Sequence, residues 1–247
     1  MKRFIEKPNL PKGRVCEVIC GTDDKRILDF FKENNISVLK NIANTDTDPS
    51  VSAHADMAAL HLGENRVLID KAQNMLKIEL EHNGFIVFEA AGKVKGEYPE
   101  DVKLNFTVTD NFIIGNFSHI DKTLLREAGF KKAINVKQGY SKCSTLIIDE
   151  QSAVTDDVSI FKALQKNGFD VLLISKGDIY LQGHEYGFIG GSSGKISKNT
   201  VVFFGDITKH RDFEKIKAFL SEHGCDFVCS DCGELRDIGG IVALMEE

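Results

Sequence analysis

The chain has 247 residues, 42% of them hydrophobic, six cysteines and a formal net charge of −6 at pH 7. This net charge argues against nucleic acid as the main partner, because phosphate binding relies on patches of Lys and Arg, and it is compatible with a cationic small molecule. The N-terminus has no long apolar run of the kind that directs secretion or membrane insertion. With six cysteines and no secretory signal, we expect a cytoplasmic protein whose cysteines are reduced.

Four signals recur in the same order along the chain: a polar helix cap, a helix, a stop at Gly or Asn, and a short apolar strand. In the first copy, Thr-Asp-Asp at 22–24 predicts the cap and the asparagines at 34–35 predict the stop. The second and third copies span residues 54–88 and 111–136, and each adds an apolar strand before its helix. This repetition predicts a series of similar structural units.

The fourth copy, at residues 138–174, is the most complete one, and it contains Cys143 near its start. Residues 140–148 are apolar and rich in β-branched side chains, which predicts a strand, and a second short strand follows. Thr155 is predicted to be the helix N-cap, and Gly168 to end the helix in the left-handed conformation. The pattern of this copy is therefore β-β-α-β.

The two ends of the chain complete one unit in this interpretation. A fifth copy lies at 201–229, and a spare apolar strand at 235–245 has no helix after it. The first copy lacks a leading strand, so we expect the spare strand beside it, which removes unpaired sheet edges. The predicted fold is one domain over residues 1–247, a five-bladed, pseudo-fivefold α/β propeller of ββαβ repeats with blade one closed by the C-terminal strand.

Five ββαβ blades around an axis resemble the pentein fold of guanidine-modifying enzymes, which include deiminases, dimethylarginine hydrolases and amidinotransferases. His54-x-Asp56 is similar to the His-x-Asp that these enzymes carry on a blade strand, where a spacing of two places both side chains on one face. Gly139 and Cys143 resemble the Gly-rich approach to their nucleophilic cysteine. As in the family, one unit separates the two motifs, and alignment of the units on Val67 and Val154 sets Asp56 opposite Cys143.

The resemblance implies a role for each of these residues. In the family, a cysteine thiolate attacks the guanidinium carbon, a histidine lowers the pKa of the thiol and transfers protons, and carboxylates bind the guanidinium. The predicted catalytic residues are Cys143 and His54. The predicted substrate-binding residues are Asp56, Asp237 and Asn105, with Asp237 as the candidate for the second carboxylate.

We therefore expect a guanidino-group hydrolase or amidinotransferase that uses no metal and no cofactor and binds a small guanidino or other cationic molecule. The alternative is a catalytically inactive pentein that binds a small molecule or a protein, because the fold also includes a non-enzymatic ribosome anti-association factor. Unlike the familiar enzymes, this chain has its cysteine in mid-sequence and not near the C-terminus. The substrate, the choice between hydrolysis and transfer, and the oligomeric state are left open.

Two other motifs are weaker. Cys225, Cys229 and Cys232 have the spacing of an iron–sulfur loop, but the first two fall on a predicted apolar strand, which disfavours a metal site. The Gly-rich stretch at 190–195 has Ile196 where a phosphate loop has Ser or Thr, so it is predicted to be a rim loop.

Overall fold

The computed structural model describes residues 1–247 as short strands and helices that alternate along the chain. The strands are β1 (Arg3–Phe4), β2 (Val15–Ile19), β3 (Ser37–Leu39), β4 (Ala59–Gly63), β5 (Arg66–Ile69), β6 (Ile86–Glu89), β7 (Thr107–Val108), β8 (Phe112–Gly115), β9 (Lys132–Asn135), β10 (Thr145–Asp149), β11 (Ser152–Thr155), β12 (Asp170–Leu173), β13 (Ser193–Ser197), β14 (Thr200–Phe203), β15 (Asp226–Cys229) and β16 (Val242–Glu246). The α-helices are α1 (Lys25–Glu33), α2 (Ala55–Ala58), α3 (Asn74–His82), α4 (Lys122–Ala128), α5 (Val158–Lys166) and α6 (Phe213–Glu222).

The strands form five small sheets with one shared pattern. In four of them, consecutive strands pair as β4-β5-β6, β7-β8-β9, β10-β11-β12 and β13-β14-β15. The first pair is antiparallel and the second is parallel, with a helix in the parallel connection. The remaining sheet has the order β1-β16-β2-β3, and β16 lies antiparallel to β2, as the repeat pattern predicts. We number the sheets one to five, starting from the sheet that contains both chain ends.

The hydrophobic core lies between neighbouring sheets. Leu146 and Val154 of sheet four, for example, pack in one cluster with Phe203 and Ile216 of the fifth unit. Four similar clusters join sheets three and four, two and three, one and two, and finally five and one. Full burial of one large apolar side chain contributes roughly 1.5–3 kcal/mol, so each sheet is stabilised mainly by its two neighbours.

The ends of the fourth predicted helix follow the polar signals, with one shift. The prediction that Thr155 caps the fourth helix is wrong: Thr155 pairs with Leu173 as the last residue of β11. Asp157 caps α5 instead, and its carboxylate accepts hydrogen bonds from the backbone N–H groups of Ser159 and Ile160. Gly168 follows α5 with φ 85°, as predicted.

Two predicted boundaries near the inner strands are also wrong. The strand predicted at 140–148 begins only at Thr145, because residues 141–144 form a turn in which Ser144 N donates to Tyr140 O (3.0 Å). The Gly-rich stretch 190–195 is not a rim loop but is buried, and β13 begins within it. None of the helices combines the length and hydropathy that crossing a membrane requires.

Candidate active site

His54 and Asp56 lie just before β4, but they are not on a strand. His54 is the N-cap residue of the one-turn helix α2, and Met57 N donates to His54 O (3.2 Å). The prediction that the two side chains share one strand face is therefore wrong. Backbone N of Asp56 donates to Gly239 O (3.3 Å), which ties this turn to the segment before β16. Both side chains are buried.

Cys143 lies in the turn before β10, and its sulfur has two polar contacts. Sγ donates to Asp56 Oδ2 (2.9 Å) and accepts from Asn105 Nδ2 (3.1 Å). Asn105 Oδ1 also accepts from the backbone N–H groups of Lys142 (2.8 Å) and Cys143 (3.2 Å). Asn105 thereby fixes both the sulfur and the backbone that carries it.

Asp237 faces the same centre from the segment that precedes β16. Its Oδ1 lies 3.8 Å from His54 Nδ1. The backbone N–H groups of Phe188 and Gly239 donate to its two oxygens at 2.9 and 3.0 Å. These two hydrogen bonds hold the Asp237 side chain in place beside the histidine.

Two glycines allow this close packing. Gly239 has φ 76°, and a Cβ there would lie 2.3 Å from His54 Cβ. A Cβ on Gly191 would lie 2.0 Å from Asp237 Oδ1. Side chains at these two positions would displace the histidine and the carboxylate, so the site requires glycine at both.

A cavity of about 460 Å³ opens above this centre. Three predicted residues line it, namely His54, Cys143 and Asp237. The other two, Asp56 and Asn105, are not among the lining residues and contact Cys143 from its buried side. The remaining lining residues are Asp48, Val51, Glu97, Tyr98, Asp101, Tyr140, Leu181, His184, Glu185, Tyr186 and Phe188.

Burial has the largest effect on the pKa values of both Cys143 and Asp56. The pKa of the Cys143 thiol is raised well above its ordinary value by burial and by the carboxylates of Asp56 and Asp237, against a smaller opposing effect of the Asn105 hydrogen bond. Burial also raises the pKa of Asp56 to about 6, although His54 and Lys142 favour its charged form. The resting thiol is therefore protonated and donates to Asp56, whereas the resemblance implied a thiol pKa lowered by histidine.

One group of three residues has potential metal-ligand atoms within 4.8 Å of one another, namely His54, Asp56 and Cys143. Cys225, Cys229 and Cys232 do not converge, and all six cysteines are free thiols. Cys225 contacts Lys195 Nζ (3.6 Å), whereas Cys232 is exposed. The iron–sulfur spacing in the sequence therefore corresponds to no ligand cluster.

The sequence did not identify the acidic and aromatic residues of the cavity wall. Asp101 is the buried one among these, and its Oδ2 accepts a hydrogen bond from the hydroxyl of the half-buried Tyr140 (2.5 Å). Tyr140 is three residues before Cys143, and the turn at 141–144 directs it into the same cavity. The predicted strand at 140–148 concealed this, because alternation along a strand would separate the two side chains.

Several solved structures share the fold, whereas no curated protein sequence matches the chain. They include an amidinotransferase from the saxitoxin biosynthetic pathway of Microseira wollei, with TM-score 0.60, 12% identity and 96% of each chain covered. Agmatine deiminase of C. jejuni has TM-score 0.55 and 14% identity, covering 92% of this chain and 91% of that chain. DDAH from Pseudomonas aeruginosa has TM-score 0.52 and 10% identity, covering 94% of this chain and 99% of that chain. Residues 18–242 match the sequence model of a family of unknown function, DUF6873, and the chain therefore belongs to that family.

Proposed function

We propose that the protein is a pentein-type, guanidine-modifying enzyme in which Cys143 is the nucleophile and His54 the general acid and base. The observation that carries the proposal is the convergence of His54, Asp56 and Cys143 within 4.8 Å at the base of an acidic cavity. Buried titratable groups with perturbed pKa values cluster at functional sites, which supports this assignment.

In this proposal the five sheets are the blades of a propeller around a central axis. The apolar clusters that join each sheet to the next, and sheet five to sheet one, support a closed ring. Contacts between β16 and β4, β4 and β7, β10 and β13, and β13 and β16 support a ring with the leading strands innermost. Thr107 Oγ1 donates to Ser141 O (3.2 Å) and links the third and fourth units. The axis of such a ring passes through the site.

The first chemical step uses the observed hydrogen bond. The Cys143 thiol gives its proton to Asp56, and Sγ forms a bond to the guanidinium carbon. The Asp56 pKa of about 6 makes this carboxylate a better proton acceptor than an ordinary aspartate. The Asp237 carboxylate, held by two backbone N–H groups at the cavity wall, binds the guanidinium nitrogens.

The later steps need an acid and then a base on the cavity side of the sulfur, where His54 lies. Protonated His54 donates to the departing amine as the C–N bond breaks, which leaves a thiouronium on Cys143. His54 then accepts a proton from water, in hydrolysis, or from an acceptor amine, in transfer. The new C–O or C–N bond forms, the C–S bond breaks, and Asp56 returns its proton to the sulfur. In hydrolysis the second proton of the water leaves on the released amine as an ammonium ion.

One observation favours the second candidate, a binding module without catalysis. The pKa of Cys143 is raised, and a protonated thiol is a poor nucleophile. A protein that only binds a cationic guanidine would still use the Asp237 carboxylate and the acidic cavity. The two candidates differ in whether the Cys143 sulfur reacts when a cation occupies the cavity.

Alkylation with two reagents tests the proposal. A haloacetamidine carries a cationic amidinium that mimics the substrate, whereas iodoacetamide is neutral. We expect the haloacetamidine to label Cys143 faster than the other five cysteines, and iodoacetamide to label the exposed Cys232 first. Turnover of a panel of guanidino compounds by the wild type but not by Cys143→Ala would complete the case. Absence of both selective labelling and turnover, with guanidine binding retained in calorimetry, would establish the binding module.

A further inference from the structure

Four aromatic rings form a continuous wall of the cavity. The ring of Tyr98 lies 5.9 Å from that of Tyr140, Tyr140 lies 6.0 Å from Phe188, and Phe188 lies 6.1 Å from Tyr186. Aromatic faces attract cations through the ring quadrupole, most strongly where water is excluded. A wall of this kind suits an alkyl chain that ends in a positive charge.

Carboxylates dominate the charged groups of the cavity, and the two histidines His54 and His184 also line it. Its lining carboxylates are those of Asp48, Glu97, Asp101, Glu185 and Asp237, and it contains no Lys or Arg. A ligand with a carboxylate or phosphate would meet repulsion from these five carboxylates and find no Lys or Arg among the lining residues. A single guanidinium engages only one or two carboxylates, so the cavity has more negative charge than one guanidinium group requires.

Asp101 shows where a second cation fits. Asp101 is 1% exposed, its Oδ2 accepts the hydrogen bond from Tyr140, and no protein group donates to its Oδ1. Burial and the nearby charge of Asp48 raise the pKa of Asp101. Buried carboxylate oxygens nearly always have a donor, and an ammonium group supplies three.

We propose that Asp101, Tyr140 and the adjoining aromatic wall form a second cation subsite, which binds the distal ammonium of an ω-guanidinoalkylamine. This inference rests on the proposed function, because it places the guanidinium at Cys143 and Asp237 and the ammonium at Asp101. Tyr140 connects the two ends: its carbonyl accepts from Ser144 N in the Cys143 turn, and its hydroxyl holds Asp101. The substrate is then a dication that lacks a carboxylate, and not an α-amino acid.

Three matched series of compounds test the subsite. The first contains ω-guanidinoalkylamines with three to six methylenes, the second the alkylguanidines without the amine, and the third the corresponding α-amino acids. We expect kcat/KM for the best dication to exceed both matched compounds by about 10- to 100-fold, as for a charge-assisted hydrogen bond. In Asp101→Asn this ratio should fall close to one. Asp29→Asn, an exposed position on α1, makes the same change in net charge and should leave the ratio unchanged.

Binding separates a failure of the subsite from a failure of the enzyme proposal. Calorimetry of Cys143→Ala with the same compounds measures the dication preference without chemistry, and thermal denaturation checks that each variant folds. Dication binding that depends on Asp101, without wild-type turnover, would support the subsite and overturn the enzyme. Turnover of alkylguanidines or amino acids as efficient as that of dications would overturn the subsite and support the enzyme. If Asp101→Asn does not fold, Tyr140→Phe serves instead, because it removes the hydroxyl that holds Asp101 Oδ2, and an unchanged dication preference there would count against the subsite.

Discussion

The turns that precede β4 and β10 place two sulfur atoms in equivalent positions with different surroundings. Met57 lies two residues before Ala59, the first residue of β4, as Cys143 lies two residues before Thr145. Asn105 Nδ2 contacts both sulfurs, at 3.2 Å for Met57 Sδ and 3.1 Å for Cys143 Sγ. Only Cys143 also contacts a carboxylate, that of Asp56.

The comparison shows that position in the repeat does not by itself create a reactive group. The residue before Met57 is Asp56 and the residue before Cys143 is Lys142, so equivalent positions carry opposite charges. Lys142 favours the charged form of Asp56. The positions equivalent to Met57 and Cys143, two residues before β13 and β16, are Gly191 and Gly240. As glycines they leave room for neighbouring groups. The candidate chemistry therefore depends on unlike residues at like positions in the second and fourth units.

The largest expected effect is a contrast between the two sulfurs. Cys143→Ala should reduce turnover of guanidino substrates by at least about 10³-fold, because it removes the nucleophile. Met57→Leu keeps a similar volume and should lower kcat less than about tenfold, with a stability loss under about 1.5 kcal/mol. Steady-state kinetics of both purified variants measure the contrast, and similar losses in both would contradict a special role for Cys143.

A second contrast compares two glycines with positive φ. Gly239→Ala should lower the free energy of unfolding by about 2–5 kcal/mol and displace His54, because the new Cβ would lie 2.3 Å from His54 Cβ. Gly224→Ala also has positive φ, 64°, but nothing lies within 4 Å of its Cβ, so only backbone strain of about 1–2 kcal/mol remains. Urea denaturation gives both values, and equal losses would mean that the contact with His54 is unimportant.

Much of the fold was predictable from local signals. The Asn and Gly stops mark the ends of four helices, where Asn35, Gly84, Gly168 and Gly224 have positive φ. The stop at Gly129 after α4 differs, because its φ is −67°. Because the first unit lacks a leading strand, the C-terminal strand was predicted to lie beside it, and β16 does pair with β2. These signals depend on backbone conformation and unpaired strand edges, which a sequence reveals directly.

The details of the site were less predictable. The alignment of the two units on Val67 and Val154 was wrong by one residue. Val154 pairs with Leu146, which is equivalent to Leu60, whereas Val67 pairs with His61. Buried parallel strands are apolar on both faces, so their sequences do not reveal the register. Asp101 lies in an irregular segment with no repeat counterpart, and only the folded chain brings it to Tyr140. The three residues His54, Asp56 and Cys143 were still predicted together, because the two short motifs that contain them resemble motifs of the pentein enzymes.

The pH dependence of stability tests the surroundings of the Cys143 sulfur. The pKa of Asp56 is about 6 in the folded protein against 3.8 ordinarily, so the folded state binds the proton more tightly than the unfolded state. Its contribution to stability is full below pH 3.8 and is lost as pH rises through about 6. Asp56→Asn has no charge to bury, so from pH 4 to pH 7 its stability should rise relative to wild type by up to about 3 kcal/mol. A constant difference across this range, measured by chemical denaturation, would show that Asp56 is not protonated on folding.

The smallest expected effect concerns the amide that touches both sulfurs. Asn105→Ala removes two bonds to backbone N–H groups of the Cys143 turn and should lower the free energy of unfolding by about 1–3 kcal/mol. Asn105→Asp keeps these acceptors but replaces the donor to Sγ, so it should be more stable than the alanine variant at acidic pH. The loss of that donor removes the one contact that lowers the thiol pKa of Cys143, which should slow haloacetamidine labelling of Cys143 in both variants. Unchanged labelling in Asn105→Asp would mean that Asn105 only supports the turn and does not adjust the sulfur that distinguishes the fourth unit from the second.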